Sequence, residues 1–265
     1  MRLFPSKTLC WICILLCLAM LSACAVGISP DQKKQAIAAR NLGEAYIGDG
    51  NYTAALAELL KAKALLPNDP IVHNDLGLAY LGKEKIEFAI FHLKKAVQLS
   101  PDYAIAKNNL GGAYLVQKDW DAAISVLLDV TDDVLYLTPH FSLTNLGIAY
   151  YEKGDYAQAE HYLRKALSLE PDFLVAQYNL GRACMAAGKL DEARMIFEEM
   201  TEKDPKNPAF LLEIGRVYRR LGDTQNAVLA LRGAIERVRT ARHLTPDIAT
   251  EIADAAVAEL DQTYP

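Results

Sequence analysis

Cysteine is scarce where a disulfide framework would need it. Of the five cysteines in 265 residues, four stand at positions 10, 13, 17 and 24, and Cys184 is the only one further along. Positive charge is not in excess. With 28 Lys and Arg against 33 Asp and Glu, the formal net charge is -5 and the pI about 5.6. That excludes a generally basic nucleic-acid-binding surface. Long apolar runs are missing too. Leu9 to Met20 spans 12 residues, whereas a membrane-crossing helix needs about 20. The β-branched residues and turn glycines of a sandwich or barrel are sparse. What is present is Ala and Leu, 39 and 38 residues, the two strongest apolar helix formers. Charged residues make up 23% of the chain and are spread along it, which argues against bulk disorder. The composition predicts an all-α protein.

The N-terminus has a distinct organisation. Arg2 and Lys7 precede the apolar run, and Leu21-Ser22-Ala23-Cys24 follows it. Charge, short apolar run and small residues are the order of a secretory signal. Leu21-Ser22-Ala23-Cys24 also resembles the bacterial lipobox. The resemblance implies a signal peptide over 1–23, removed in the mature chain, with Cys24 acylated as its first residue. The mature chain would then have 242 residues and a net charge of -7. Cys184 would be its only free thiol, with no intramolecular disulfide possible. Several acyl chains anchor firmly, whereas one binds only marginally. By the sorting rules of Gram-negative bacteria, Ala25 after the cysteine implies an outer-membrane anchor facing the periplasm. Residues 24–35 show no apolar periodicity and are expected to be a lipidated tether, with a reach of about 35 Å at roughly 3.3 Å per residue.

The rest of the chain repeats. Leu42-Gly43, Leu76-Gly77, Leu110-Gly111, Leu146-Gly147, Leu180-Gly181 and Ile214-Gly215 recur at spacings of 34, 34, 36, 34 and 34 residues. Tyr46, Tyr80, Tyr114, Tyr150, Cys184 and Tyr218 stand three residues after the glycines. Ala55, Ala89, Ala123, Ala159, Ala193 and Ala227 follow at a fixed register, and a large apolar residue comes four further on. A period of this length is the signature of a solenoid of stacked helical hairpins. This pattern resembles the tetratricopeptide repeat. Six units are predicted: 36–69, 70–103, 104–139, 140–173, 174–207 and 208–241. In each, glycine permits close crossing of the second helix over the first, and stacking buries what one unit cannot. Residues 242–265 are expected to hold a last helix. Thr245-Pro246-Asp247 would start it, and the stripe Ile248, Ile252, Ala255, Ala256 and Leu260 would seal the end of the stack.

Catalytic chemistry has no convincing constellation here. There is no His-Glu-x-x-His and no Gly-x-Ser-x-Gly. Gly181 to Lys189 has the wrong glycine spacing for a phosphate loop and belongs to a helix. His73, His92, His140, His161 and His243 are scattered singly and read as solvated or packing residues. Cys184 takes a position usually held by Tyr and reads as a buried, inert thiol. Asp132-Asp133 reads as a solvated pair. No metal, cofactor, nucleic acid or small-molecule substrate is expected, and the chain is not read as an enzyme.

Function is therefore expected at the surface. In tetratricopeptide proteins the first helices line a concave groove. Carried over by repeat position, the resemblance places Asn74, Leu78, Leu81, Asn108, Leu115, Thr144, Ile148, Tyr151, Tyr178, Arg182, Arg216, Arg219 and Arg220 at that groove. Leu78, Leu81, Leu115, Ile148 and Tyr151 are expected to form one apolar strip. Asn74, Asn108 and Thr144 are expected to pair with a partner's backbone. The four arginines would make the far end basic and orient an acidic segment. A carboxylate clamp of the chaperone type is excluded, because Asn74/Leu78 and Asn108/Gly112 do not supply its Lys and Asn. Lipobox, tether and six repeats together resemble the type IV pilus biogenesis and stability lipoproteins, the pilotins. A 36-residue third unit with Leu135-Tyr136 near its end adds to the resemblance, and Leu135, Tyr136 and Leu137 are expected to form a secondary contact edge. The implied partner is a secretin or another pilus assembly component, with the membrane reached through lipid. The second reading is an adaptor lipoprotein that recruits peptidoglycan hydrolases or proteases. A third, an enzyme or its regulatory subunit, lacks any domain outside the repeats to support it.

Overall fold

The computed structural model describes residues 28–131, 137–241 and 244–263. Among them are 13 α-helices and no strand. The described residues divide into two compact units, one up to Leu99 and one from Ser100. The first contains α1 (Pro30–Gly48), α2 (Tyr52–Leu65), α3 (Pro70–Gly82) and α4 (Ile86–Leu99). The second contains α5 (Ala104–Gln117), α6 (Trp120–Thr131), α7 (Pro139–Glu152), α8 (Tyr156–Leu169) and α9 (Leu174–Ala186). It continues with α10 (Leu190–Lys203), α11 (Pro208–Leu221), α12 (Thr224–Val238) and α13 (Pro246–Thr263). No described helix is long and apolar enough to cross a membrane.

The helix ends follow from local chemistry. Asp69 caps α3 by accepting from the backbone N–H groups of Ile71 and Val72 at 2.8 and 3.1 Å. Pro70 sits in the first turn, where a missing donor costs nothing. Asn207 and Pro208 do the same for α11. The turns inside the hairpins close on Gly50, Gly154, Gly188 and Gly222, all with φ between 70° and 82°, the left-handed region where a side chain is costly.

One boundary differs from expectation. Helix α1 begins at Pro30, inside the segment read as a tether. Ser29 accepts from the Gln32 N–H at 3.2 Å, and the Gln32 side chain accepts from the Ser29 N–H at 2.9 Å. This reciprocal capping box satisfies two donors at the helix start, so a stretch without an apolar stripe is still helical. The signal segment, Cys24, Leu135 and Tyr136 lie outside the described residues; Leu137 is exposed.

Each hairpin closes through its glycine. A Cβ on Gly111 would stand 2.5 Å from Leu127 Cγ and Cδ2, and the same clash recurs between Gly77 and Leu93 and between Gly215 and Leu231. Leu127 has no exposed surface and cannot swing away. Gly111→Ala is therefore expected to destabilise by about 1–3 kcal/mol through overpacking. The neighbouring Gly112 has nothing within 4 Å of its Cβ position, so Gly112→Ala should stabilise by about 0.5–1 kcal/mol. Urea unfolding of the two variants checks the pair.

In the second unit the core runs through Leu163, Leu180, Phe197, Met200 and Ile214. It ends in a further cluster, where Ile252 and Ala256 of α13 pack on Leu212, Leu231 and Ala234. Ala255 and Leu260 pack against the same cluster, whereas Ile248, expected in the stripe, is exposed in the first turn of the helix.

Candidate functional site

Within the second unit the first helices α5, α7, α9 and α11 pack in succession, and α13 packs on α11 as one more. Their shared face carries most of the residues singled out in the sequence. Leu115 on α5 and Ile148 and Tyr151 on α7 are half-buried, so each keeps apolar surface for a ligand. The guanidinium of Arg182 on α9 lies 4.4 Å from the centroid of the Tyr151 ring. A cation over an aromatic face is attracted by the ring quadrupole. Arg182 also approaches Glu152 at 3.9 Å.

A polar row continues from there. The Tyr178 hydroxyl donates to Glu213 Oε1 at 3.1 Å, and burial together with Glu213 pushes the phenol well above its ordinary pKa. Arg216 donates to the same Glu213 oxygen at 2.8 Å and to Glu259 Oε1 at 3.2 Å. Arg219 donates to Glu259 Oε2 at 2.6 Å. Arg220 is exposed and donates to the Met185 carbonyl of α9 at 2.6 Å. The expected basic end therefore needs correction. Glu259 of α13 and Glu213 of α11 neutralise Arg216 and Arg219, and of the α11 arginines Arg220 alone stays exposed, with a carbonyl rather than a carboxylate as its acceptor.

Two of the expected backbone-pairing residues are also corrected. Asn74 is 3% exposed and Thr144 2%, too deep for a partner's main chain. Asn74 donates to Asp75 Oδ1 at 3.1 Å, and Thr144 donates to the His140 carbonyl at 2.7 Å. Asn108 is half-buried and accepts from Asn145 Nδ2 at 3.1 Å. In the first unit, Leu78 and Leu81 on α3 are half-buried, as a lining role requires.

The histidines are not all single. His73 and His92, both at least 96% buried, face each other with Nδ1 to Nδ1 at 2.9 Å. His73 Nε2 lies 3.0 Å from the Pro67 carbonyl. That carbonyl needs a donor, so His73 carries its proton on Nε2 and accepts at Nδ1 from His92 Nδ1–H. The His92 ring stacks on Tyr80 at 5.5 Å. Nineteen residues separate the two histidines, so no local pattern signals the pair. Asp75 is a second buried titratable group. Its Oδ2 has no hydrogen-bond partner, and burial pushes its pKa up to about 6.

Cys184 matches its reading as inert. It is fully buried, and burial, reinforced by Glu160, pushes the thiol up to about 11. Among the described residues, Glu160, Cys184 and Glu192 are the one trio close enough to share a metal. Lys189 and Arg164 already hold Glu160 at 2.8 and 2.9 Å, and Arg164 also pairs with Glu192. The trio is a neutralised ion network around a protonated thiol.

Comparison with known proteins adds to this geometry. Tetratricopeptide-repeat profiles match residues 43–84, 72–103, 102–170, 144–208 and 186–244. A TPR repeat-containing protein of Methanocaldococcus jannaschii is 38% identical over 79 residues, 29% of this chain and 23% of that protein. The chain thus aligns with less than a third of the length of that relative. Among solved structures, Pseudomonas aeruginosa PilF superposes with a TM-score of 0.70 at 21% identity, covering 86% of this chain and 99% of PilF. PilW, a type IV pilus biogenesis factor, gives 0.72 at 21% identity, covering 82% and 98%.

Proposed function

The chain belongs to the tetratricopeptide-repeat family, and from that premise we propose that it is a scaffold binding a protein segment on the first-helix face. The observation that carries this reading is the half-buried row Leu115, Ile148 and Tyr151 on adjacent first helices. Full burial of a large apolar side chain contributes about 1.5–3 kcal/mol. At most about a third of each of the three remains to be covered, so completing their burial gives at most roughly 1.5–3 kcal/mol before the cost of association.

The proposed setting is the assembly of a type IV pilus or its secretin, with the chain tethered by acylated Cys24 to the outer membrane and facing the periplasm. Support comes from the near-complete coverage of PilF and PilW and from the lipobox-like Leu21-Ser22-Ala23-Cys24. Two experiments test the parts separately. Leu115→Asp and Ile148→Asp are expected to abolish co-isolation of the secretin while circular dichroism stays helical. Undiminished co-isolation would remove the groove reading. Cys24→Ser should release the protein from the outer-membrane fraction, and an intact mass without acyl chains in the wild type would contradict the anchor.

A further inference from the structure

Two grooves lie between successive second helices, one in each unit, at the same repeat register, both apolar at the centre but differing in the charge at the rim. In the first unit the groove between α2 and α4 is floored by Tyr80 and has a volume of about 410 Å³. Phe88 and Phe91 stand along it, 58% and 63% exposed, with Lys63 at the edge and Glu87 as the one lining carboxylate. Lys94 and Lys95 follow Phe91 by three and four residues, the spacing of one helix face. In the second unit the groove between α10 and α12 has a volume of about 490 Å³ and an apolar floor of Leu211, Ile214 and Ala230. Glu198 and Glu202 line its rim, and Leu229 stands 71% exposed beside it. The wider charge follows the same division. Residues 28–99 carry nine Lys and Arg against eight Asp and Glu, while residues 100–265 carry 17 against 25.

Two neighbouring exposed phenylalanines are a costly surface for a soluble body. They need a cover that is apolar at its centre and negative at its edge, because lysines flank them. The α10–α12 groove has that composition. We propose that the occupant is a second copy of this chain: Phe88 and Phe91 of one molecule enter the α10–α12 groove of the next, with Lys63 and Lys95 facing Glu198 and Glu202. The two surfaces differ, so the contact is head-to-tail. Each added copy leaves one groove of each kind open, and association proceeds beyond the dimer unless a ring closes. The first-helix face is not used, so self-association and partner binding are independent.

The test uses complementary variants of the full chain, purified in detergent and followed by sedimentation velocity. The wild type should gain mean mass over a roughly hundredfold rise in concentration, as mass action requires. Added salt should reverse the gain. Phe88→Ala/Phe91→Ala removes the inserting side chains, and Glu202→Lys/Leu229→Lys spoils the receiving groove. All four positions are exposed, so the helical spectrum should persist. Each variant alone should associate at least tenfold more weakly than wild type. Mixed in equal amounts, the intact groove of one meets the intact phenylalanines of the other, and a dimer that grows no further should form. A wild type that stays monomeric across the range overturns the proposal. So does a variant that associates like wild type, or a mixture that remains monomeric while wild type assembles.

Discussion

Replacing Glu259 by Lys should detach α13 from α11 and cost about 2–4 kcal/mol of stability. Glu259 receives Arg219 at 2.6 Å and Arg216 at 3.2 Å, and its side chain is only 15% exposed. Hydrogen bonds to charged groups contribute about 1.5–3 kcal/mol each. The arginines are 28–30% exposed, so solvent recovers part of the loss. A lysine would add repulsion to the two arginines left behind. Glu259→Gln keeps the shape and one acceptor, and should lose about half as much. Urea unfolding monitored by circular dichroism gives the cost. Hydrogen exchange over residues 246–263 locates it, since local detachment exposes those amides before the rest.

Acid should weaken the first unit, and Asp75→Asn should make the acid loss steeper. Burial lowers both histidine pKa values, that of His92 to about 4. Both are neutral in the native pair, while the unfolded chain takes up protons near 6.5. Stability from this pair is therefore complete above 6.5 and declines as pH falls toward 4, by about 3 kcal/mol for His92. Lys63 and Lys95 add to the lowering of His73, and Asp69 opposes it. Asp75 has the opposite sign. Its native pKa lies near 6, above its ordinary 3.8, so it costs stability as pH rises through that window and is a buried carboxylate at pH 7. Asp75→Asn should raise stability at pH 7–8 by about 2–3 kcal/mol and remove the gain that offsets histidine protonation. His92→Phe should flatten the acid decline. Denaturation midpoints between pH 4 and 8, with NMR titration of the histidine ring protons, check the signs. An Asp75→Asn variant no more stable than wild type at pH 7 would contradict the assignment.

What was legible in the sequence was what repeats locally. Gly111, Ala123 and Leu127 are 12 and four residues apart, and their register alone implies a glycine crossed by a second helix. The Ile252 and Ala256 stripe likewise announces a sealing helix. Signals without periodicity were harder to see. The start of α1 rests on Ser29 and Gln32, a four-residue device with no apolar stripe. The arginines looked like a basic end because Glu259 lies 40 residues from Arg219, and only the docking of α13 brings them together. Repeat position placed Asn74 and Thr144 at the groove, but burial beside Asp75 and His140 turned both inward. The His73–His92 pair spans two helices and depends on their crossing.

The central claim is that the first-helix face of the second unit holds a protein segment. Site-specific photo-crosslinking in intact cells tests it most directly, with the reactive group in place of Ile148 and, as a control, in place of the exposed Ser168 on α8. A discrete protein adduct is expected at position 148, lost when Leu115→Asp is added, and none at position 168. Equal adducts at both positions, or an adduct at 148 that survives Leu115→Asp, would contradict it.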